Sequence, residues 1–292
     1  MMSVAVIIPA HDEEVALRRC LAALARQSYP GEVEVIVVAN GCRDATAEVA
    51  LESRALLPPN FTLDLIELPV AAKWQALNAA DAAARSAARV YLDADIVLST
   101  GALEGLLGVL PEDGPRLVQP EVVVAWSGRG SSYPVRAFVR VWSALPYVRE
   151  QVLGLGCYAV NGQGRSLWDA FPPLGADDTY VRFRFDDADK RVVHGAKMTL
   201  SFPTSLRELI LVRARWCRLS RAVRTIEPDL PPSERRRWAA AARFVSTHPS
   251  LWLDGLVFTG IWACAVAFSR LPTPQEHWAR ARTSEVRLSV DP

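Results

Sequence analysis

Four short apolar runs recur at a spacing of roughly 25–30 residues, each followed by a stretch of helical pattern, and nothing else in the chain restricts its fold as strongly. Val4 to Ile8, closed by Pro9, reads as a buried parallel strand. The other three are Glu34 to Val38, Leu63 to Leu68 and Arg89 to Asp93. Between them lie helix patterns. Leu17, Leu21 and Leu24 form one stripe that stops near Tyr29-Pro30-Gly31, Asp44 to Glu48 opens a second helix, and Ala71 to Ala87 is rich in alanine. Gly101 to Leu110 follows the fourth run. Strands alternating with helices mean βαβ units, an α/β class and a parallel sheet. In such sheets ligands sit at the carboxyl ends of the strands. Pro9-Ala10-His11, Asn40 and Asp93-Ala94-Asp95 all fall there.

Asp93 and Asp95 are separated only by Ala94. If the chain stays extended, alternate residues point the same way and both carboxylates face one ligand. Two such like charges repel unless a cation lies between them. Hard oxygen donors at this spacing suit Mn²⁺ or Mg²⁺, which in turn can hold a diphosphate.

Composition excludes several classes. Basic and acidic residues nearly cancel, to a net charge of +1, with no basic block interleaved with aromatics, so no nucleic-acid partner is expected. The five cysteines are scattered and never in a Cys-x-x-Cys pair, which argues against a disulfide framework or a zinc site and suits a reducing compartment. The opening has no basic n-region, and its apolar run ends at His11-Asp12-Glu13-Glu14, unlike a signal peptide. The expectation is a cytoplasmic enzyme.

Past Leu110 the alternation fades. Val118 to Trp126 suggests another strand, Tyr133 to Gln151 a helix, and Gly154 to Arg165 a glycine-rich loop–strand–loop beside a ligand. This last segment is not a dinucleotide loop, because it lacks the third glycine and does not open a long helix after the first strand. Asp177-Asp178 begins a helix, and Pro203 to Arg224 contains a longer one with the cluster Arg213, Arg215, Trp216 and Arg218.

In that order, these residues resemble inverting family 2 glycosyltransferases of the GT-A fold over about residues 3 to 220. Val4 to Glu14 is similar to that family's opening strand and acidic turn, and Lys73-Trp74-Gln75-Ala76-Leu77-Asn78 to its Lys-x-x-Ala-Leu-Asn segment. Tyr91 to Asp95 resembles its metal motif, and Ala176-Asp177-Asp178 lies where the family carries its catalytic base. Ala39-Asn40 replaces an aspartate pair whose second member contacts the nucleotide base, and Val212 to Trp216 lacks the Gln of processive members. The resemblance implies a Rossmann-like, mostly parallel sheet flanked by helices and a single sugar transfer to an acceptor hydroxyl. The donor it implies is a nucleoside-diphosphate sugar, a UDP-sugar first, with Mn²⁺ or Mg²⁺. The products would belong to cell-surface polysaccharide, glycolipid or natural-product glycosylation. By the same resemblance Asp95 is the metal ligand, Asp93 serves the metal or the ribose, and His194 is a late metal ligand. Asp178 is the general base with Asp177 beside it, and Pro9, Ala10, His11, Glu13, Asn40, Lys73 and Ala94 line the donor. A nucleotidylyltransferase would need a basic glycine-rich loop where Ala10 to Glu14 is acidic. A silent sugar-nucleotide-binding protein is the other alternative, suggested by Ala39-Asn40.

A catalytic domain over residues 1 to 225 and a helical extension over 226 to 292 are expected. Pro228, Pro231 and Pro232 mark the break, before Arg235, Arg236, Arg237 and Trp238. The apolar run Leu251 to Phe268 reaches about 27 Å as a helix, short of a bilayer core of about 30 Å, and it contains Asp254. That favours peripheral attachment at the inner face of the cell membrane, where a lipid-linked acceptor would lie, or a helix packed on the domain. Trp278 to Ser284 resembles tails of membrane-associated relatives.

Overall fold

Each of the four apolar runs is a strand in the computed structural model, which describes residues 2–111, 113–125, 130–226 and 233–271, the side chains of 233–238 excepted. In chain order the elements begin β1 (Val4–Ala10), α1 (Glu14–Leu24), β2 (Val33–Asn40), α2 (Thr46–Ser53) and β3 (Phe61–Leu68). Next come α3 (Lys73–Ala83), β4 (Ala88–Leu92), the two-residue β5 (Val97–Leu98), α4 (Ala102–Leu107) and β6 (Leu117–Ala125). Then follow α5 (Tyr133–Ala144), α6 (Pro146–Glu150), β7 (Cys157–Val160), α7 (Gly162–Arg165), α8 (Asp177–Arg182) and β8 (Lys190–Ser201). Three helices close the described chain: α9 (Leu206–Ile226), α10 (Ser233–Ser246) and α11 (Trp252–Phe268).

The sheet has eight strands in the order β3-β2-β1-β4-β7-β6-β8-β5. Val6 stands opposite both Val35 and Val90 in parallel register. β7 then runs antiparallel to β4, with Tyr91 opposite Tyr158, and β8 antiparallel to β5, with Val97 opposite Thr199. Every residue of β1 is buried, because helices cover both sheet faces and alternate side chains feed separate cores. Val4, Val6 and Ile8 pack with Leu17, Leu21 and Leu24 of α1 and Leu103 and Leu106 of α4. Ala5 and Ile7 pack on the other side with Ala76, Leu77 and Ala80 of α3, beside Tyr91, Tyr158, Trp168 and Phe171. Burial of about 1.5–3 kcal/mol per large aliphatic side chain fixes the strand register.

The helix expected over Tyr133 to Gln151 breaks at Leu145, whose ψ of 131° precedes Pro146. Proline's ring disfavours helical geometry in the residue before it and removes a donor. Trp126 and the tail from Trp278 to Ser284 lie outside the described residues, as do the side chains of Arg235, Arg236, Arg237 and Trp238.

Internal contacts group the chain into two units, Met1–Val123 with Val152–Leu200, and Val124–Gln151 with Ser201–Pro292. The break at residue 226 read from the sequence falls within the second unit, beside 227–232, which are not described. The first unit holds the sheet. In the second, one face of α11 packs on α5 and α9. The Phe138 and Phe258 rings stack at 4.8 Å, and the Arg213 guanidinium lies 4.6 Å from the Trp262 ring and 4.7 Å from that of Trp216. Arg213 is buried among these rings. Asp254, which interrupts the apolar run in the sequence, is also buried and accepts from Arg140 Nε at 2.6 Å, Arg140 Nη2 at 2.7 Å and the Tyr133 hydroxyl at 3.0 Å. The Arg140 hydrogen bonds hold its carboxyl below the usual carboxylate range.

Candidate active site

Two groups of side chains stand at the carboxyl end of the parallel strands, joined by the start of α3. The first is built around Asn40, the last residue of β2. Its carbonyl accepts from His11 Nδ1 at 2.7 Å and its Oδ1 from the Ala72 amide at 3.1 Å. Asn40 is fully buried, and its Nδ2 has no hydrogen-bond partner among the described residues. The side chain at the position of the family's base-contacting aspartate is therefore turned inward, tying β2 to α3. Gly41 follows at φ +66°, where a Cβ would stand 2.6 Å from the Ala71 nitrogen, so only glycine lets the two turns approach. Glu13 is buried; its Oε2 accepts from the His11 amide at 3.2 Å, and its own amide donates to Thr46 Oγ1 at 2.8 Å. Pro9 and Ala10 are buried within the sheet and would meet a ligand through the main chain. His11 Nε2 lies 3.8 Å from Asp12 Oδ2. With Cys42 these groups bring ligand atoms within 4.8 Å of one another, a mixed set suited to a softer ion than Mn²⁺ or Mg²⁺.

The second group centres on Lys73, the first residue of α3. Its Nζ lies 2.7 Å from Asp93 Oδ1 and 2.7 Å from Asp177 Oδ1. Burial opposes its charge, but the two carboxylates prevail and raise its pKa, so the ammonium stays charged. Asp177 accepts from the Tyr158 hydroxyl at 3.2 Å through its other oxygen. Asp178, next in the first turn of α8, accepts from the Thr179 amide at 2.5 Å. Burial, then the charge of Asp177, push its carboxyl up to about 6, against the opposing pull of Lys73 and Arg182. Lys73, Asp93, Asp177 and Asp178, far apart in sequence, thus form one site.

The segment between the aspartates does not stay extended. The Ile96 amide donates to the Asp93 carbonyl at 3.0 Å, closing a turn that buries Ala94 and leaves Asp93 and Asp95 partly exposed. Carboxylates are the oxygen donors a hard divalent ion takes, and on this turn Asp95 could offer one while Asp93 is tied to Lys73 through Oδ1. His194 is not brought to them. It is exposed on β8, five residues before Thr199, whose partner is Val97; antiparallel register carries it on the order of 15 Å along the strand from Val97, in the direction away from Asp95.

The glycine-rich loop supplies what the motifs alone did not reveal. Gly154, Leu155 and Gly156 all have positive φ, at +89°, +41° and +88°. Such geometry in a leucine stores on the order of 1 kcal/mol and recurs at functional sites. A Cβ on Gly154 would stand 2.3 Å from Asp178 Cβ, and one on Gly156 3.2 Å from Asp93 Oδ2. The loop therefore runs against both carboxylates, and buried Gln119 holds it by accepting from the Leu153 and Gly154 amides at 2.7 and 2.6 Å. Gly154→Ala is expected to cost about 1–3 kcal/mol, combining backbone strain with displacement of Asp178, read as a lower urea midpoint at unchanged slope.

Solved structures share this fold. The mannosyltransferase PcManGT from Pyrobaculum calidifontis, in complex with GDP-Man and Mn²⁺, is 19% identical with a TM-score of 0.64, over 91% of this chain and 85% of that one. TarS from S. aureus, residues 1–349 in complex with UDP, is 15% identical with a TM-score of 0.52, covering 89% of each chain. Glucosyl-3-phosphoglycerate synthase from Mycobacterium tuberculosis, in complex with phosphoglyceric acid, is 19% identical with a TM-score of 0.52, over 80% and 82%. A search of curated protein sequences finds no match. The profile described as "Glycosyl transferase family 2" matches residues 5–161, more than half of the chain. The chain belongs to glycosyl transferase family 2.

Proposed function

We propose that this protein is an inverting glycosyltransferase that moves a hexosyl group once from a nucleoside-diphosphate sugar, a UDP-sugar being the first to test, to an acceptor hydroxyl. The observation that carries the reading is Asp178: a carboxyl raised to about 6 in the first turn of α8, beside the Asp93–Lys73–Asp177 chain of charges. A base works best when its pKa lies near the working pH. Asp178 takes the acceptor's proton as the acceptor oxygen attacks the anomeric carbon. The bond to the diphosphate breaks on the opposite face, and its electron pair leaves with the diphosphate. Asp177 and Tyr158 hold the start of α8, and Lys73 fixes that start to the end of β4. Asp95, with Asp93 beside it, would hold Mn²⁺ or Mg²⁺, which when bound would supply Lewis-acid stabilisation of the leaving diphosphate, a contribution of several kcal/mol. His11, Glu13 and the main chain from Pro9 to Ala10 form the nucleotide edge.

The Asp178 pKa gives a direct test. The base acts only when deprotonated, so donor turnover is expected to be flat above pH 7 and to fall about tenfold per unit below about 6. A profile from pH 4.5 to 8.5 with saturating Mn²⁺ reads this. A rate unchanged between pH 5 and 7 removes Asp178 as base.

A further inference from the structure

α11 is apolar on two sides, and the second unit covers only one of them. Asp254, Phe258, Ile261 and Ala265, at helical spacing, are buried against α5 and α9. On the opposite side Leu253 is 64% exposed and Leu256 73%, and exposed Gly260, Ala263 and Ala267 continue their stripe toward exposed Leu271, while Phe268, 46% exposed, flanks the packed face at the helix end. Only 28% of the helix's most apolar window is buried, although its mean hydropathy is 1.7. A contiguous apolar stripe of this kind marks an interaction surface.

Charge identifies the partner. Residues 201–271 carry eleven arginines against five acidic side chains, in a chain whose net charge is only +1. Positive charge also stands at the carboxyl end of the stripe: Arg221 Nη2 donates to the carbonyl and the hydroxyl of Ser269, each at 2.6 Å, and Arg270 follows, exposed. An apolar stripe with arginine at its edge is the pattern of a helix lying in an anionic lipid surface. Crossing is excluded by the packed face. Asp254 is locked to Arg140 and Tyr133, and α5 and α9 carry Arg136, Arg140, Arg218 and Arg224, which cannot enter hydrocarbon alongside α11.

We propose that α11 is a monotopic membrane contact, its stripe led by Leu253 and Leu256 entering the headgroup boundary of an anionic bilayer. This inference rests on the second unit's surface and stands whether or not the sugar-transfer reading holds. The test uses the full chain with vesicles of phosphatidylcholine, alone or with about 30% phosphatidylglycerol. The wild type is expected to float with the anionic vesicles and to release as salt rises from about 0.05 to 0.5 M. Leu253→Glu with Leu256→Glu changes only exposed positions and is expected to keep the wild-type unfolding temperature while vesicle affinity falls at least about tenfold. Absence of wild-type flotation at low salt, or equal flotation by the double variant, overturns the proposal. So does a wild-type dimer in sedimentation velocity that the double variant turns to monomer without any vesicle binding, since the stripe's occupant is then a second copy.

Discussion

Asp178→Asn is expected to slow sugar transfer by about 10²–10⁴-fold, the range supplied by a positioned general base. The amide keeps the shape and still accepts from the Thr179 amide, so α8 retains its first turn. Donor affinity, measured by calorimetry in the absence of acceptor, is expected to stay within about threefold of wild type, because the residue's role is toward the acceptor proton. Stability should not suffer. Folding raises the Asp178 carboxyl to about 6, which means the charged form is disfavoured in the native state, and a neutral amide relieves that penalty at pH 7. Lost turnover with an equal or higher unfolding temperature is thus the signature of a base. Asp177→Asn differs in kind: it weakens the pair with Lys73 and the bond from Tyr158, so it is expected to lower stability as well as rate. Full transfer by Asp178→Asn together with none by Asp177→Asn means that the base is Asp177.

Removal of the divalent ion is expected to have an effect of similar size. With excess chelator, donor turnover should drop by about 10³-fold or more, the equivalent of several kcal/mol of leaving-group stabilisation, and Mn²⁺ should restore it. Asp95→Ala is expected to reproduce that loss even with the ion present. The turn that carries Asp95 is closed by the main-chain bond from Ile96 to Asp93, and the residue is partly exposed, so its loss leaves the core intact and the unfolding temperature within a few degrees. Lys73→Met separates the two carboxylate roles, since it removes the cation between Asp93 and Asp177 without touching Asp95. Undiminished turnover in chelator contradicts the metal assignment.

The parallel half of the sheet was legible because β1, β2 and β4 are buried on both faces and so appear as unbroken apolar runs with helix patterns between them. β5 was not, since two residues carry no period, nor was β8, whose buried Val192-Val193 and exposed His194-Gly195 come in pairs and break the period of two, with Gly195 at φ +96° in its middle. Asp93, Asp177 and Asp178 could be placed by motif, but the Lys73 bridge could not: which cation neutralises which carboxylate depends on three elements meeting in space. Extrapolating the period of two beyond Leu92 put both aspartates on one extended face, whereas the Asp93 carbonyl closes a turn there. His194 met the same limit, because the register of β8 against β5 could not be read from the sequence. Tyr158 and Gln119 gave no signal at all; a buried hydroxyl or amide is indistinguishable in sequence from any other polar residue until its partner is known. Asn40, which suggested lost function as a replacement for aspartate, proves to be a tie between β2 and α3.

The stereochemistry of transfer tests the central reading most directly. Proton NMR of the wild-type reaction with Mn²⁺, an α-configured nucleoside-diphosphate sugar and a hydroxyl acceptor follows both anomeric signals at once. Direct displacement assisted by Asp178 is expected to give a β-configured product at the rate the donor disappears, with no such signal from Asp178→Asn over the same time. An α-configured product, or a β-configured one formed equally fast by Asp178→Asn, contradicts it.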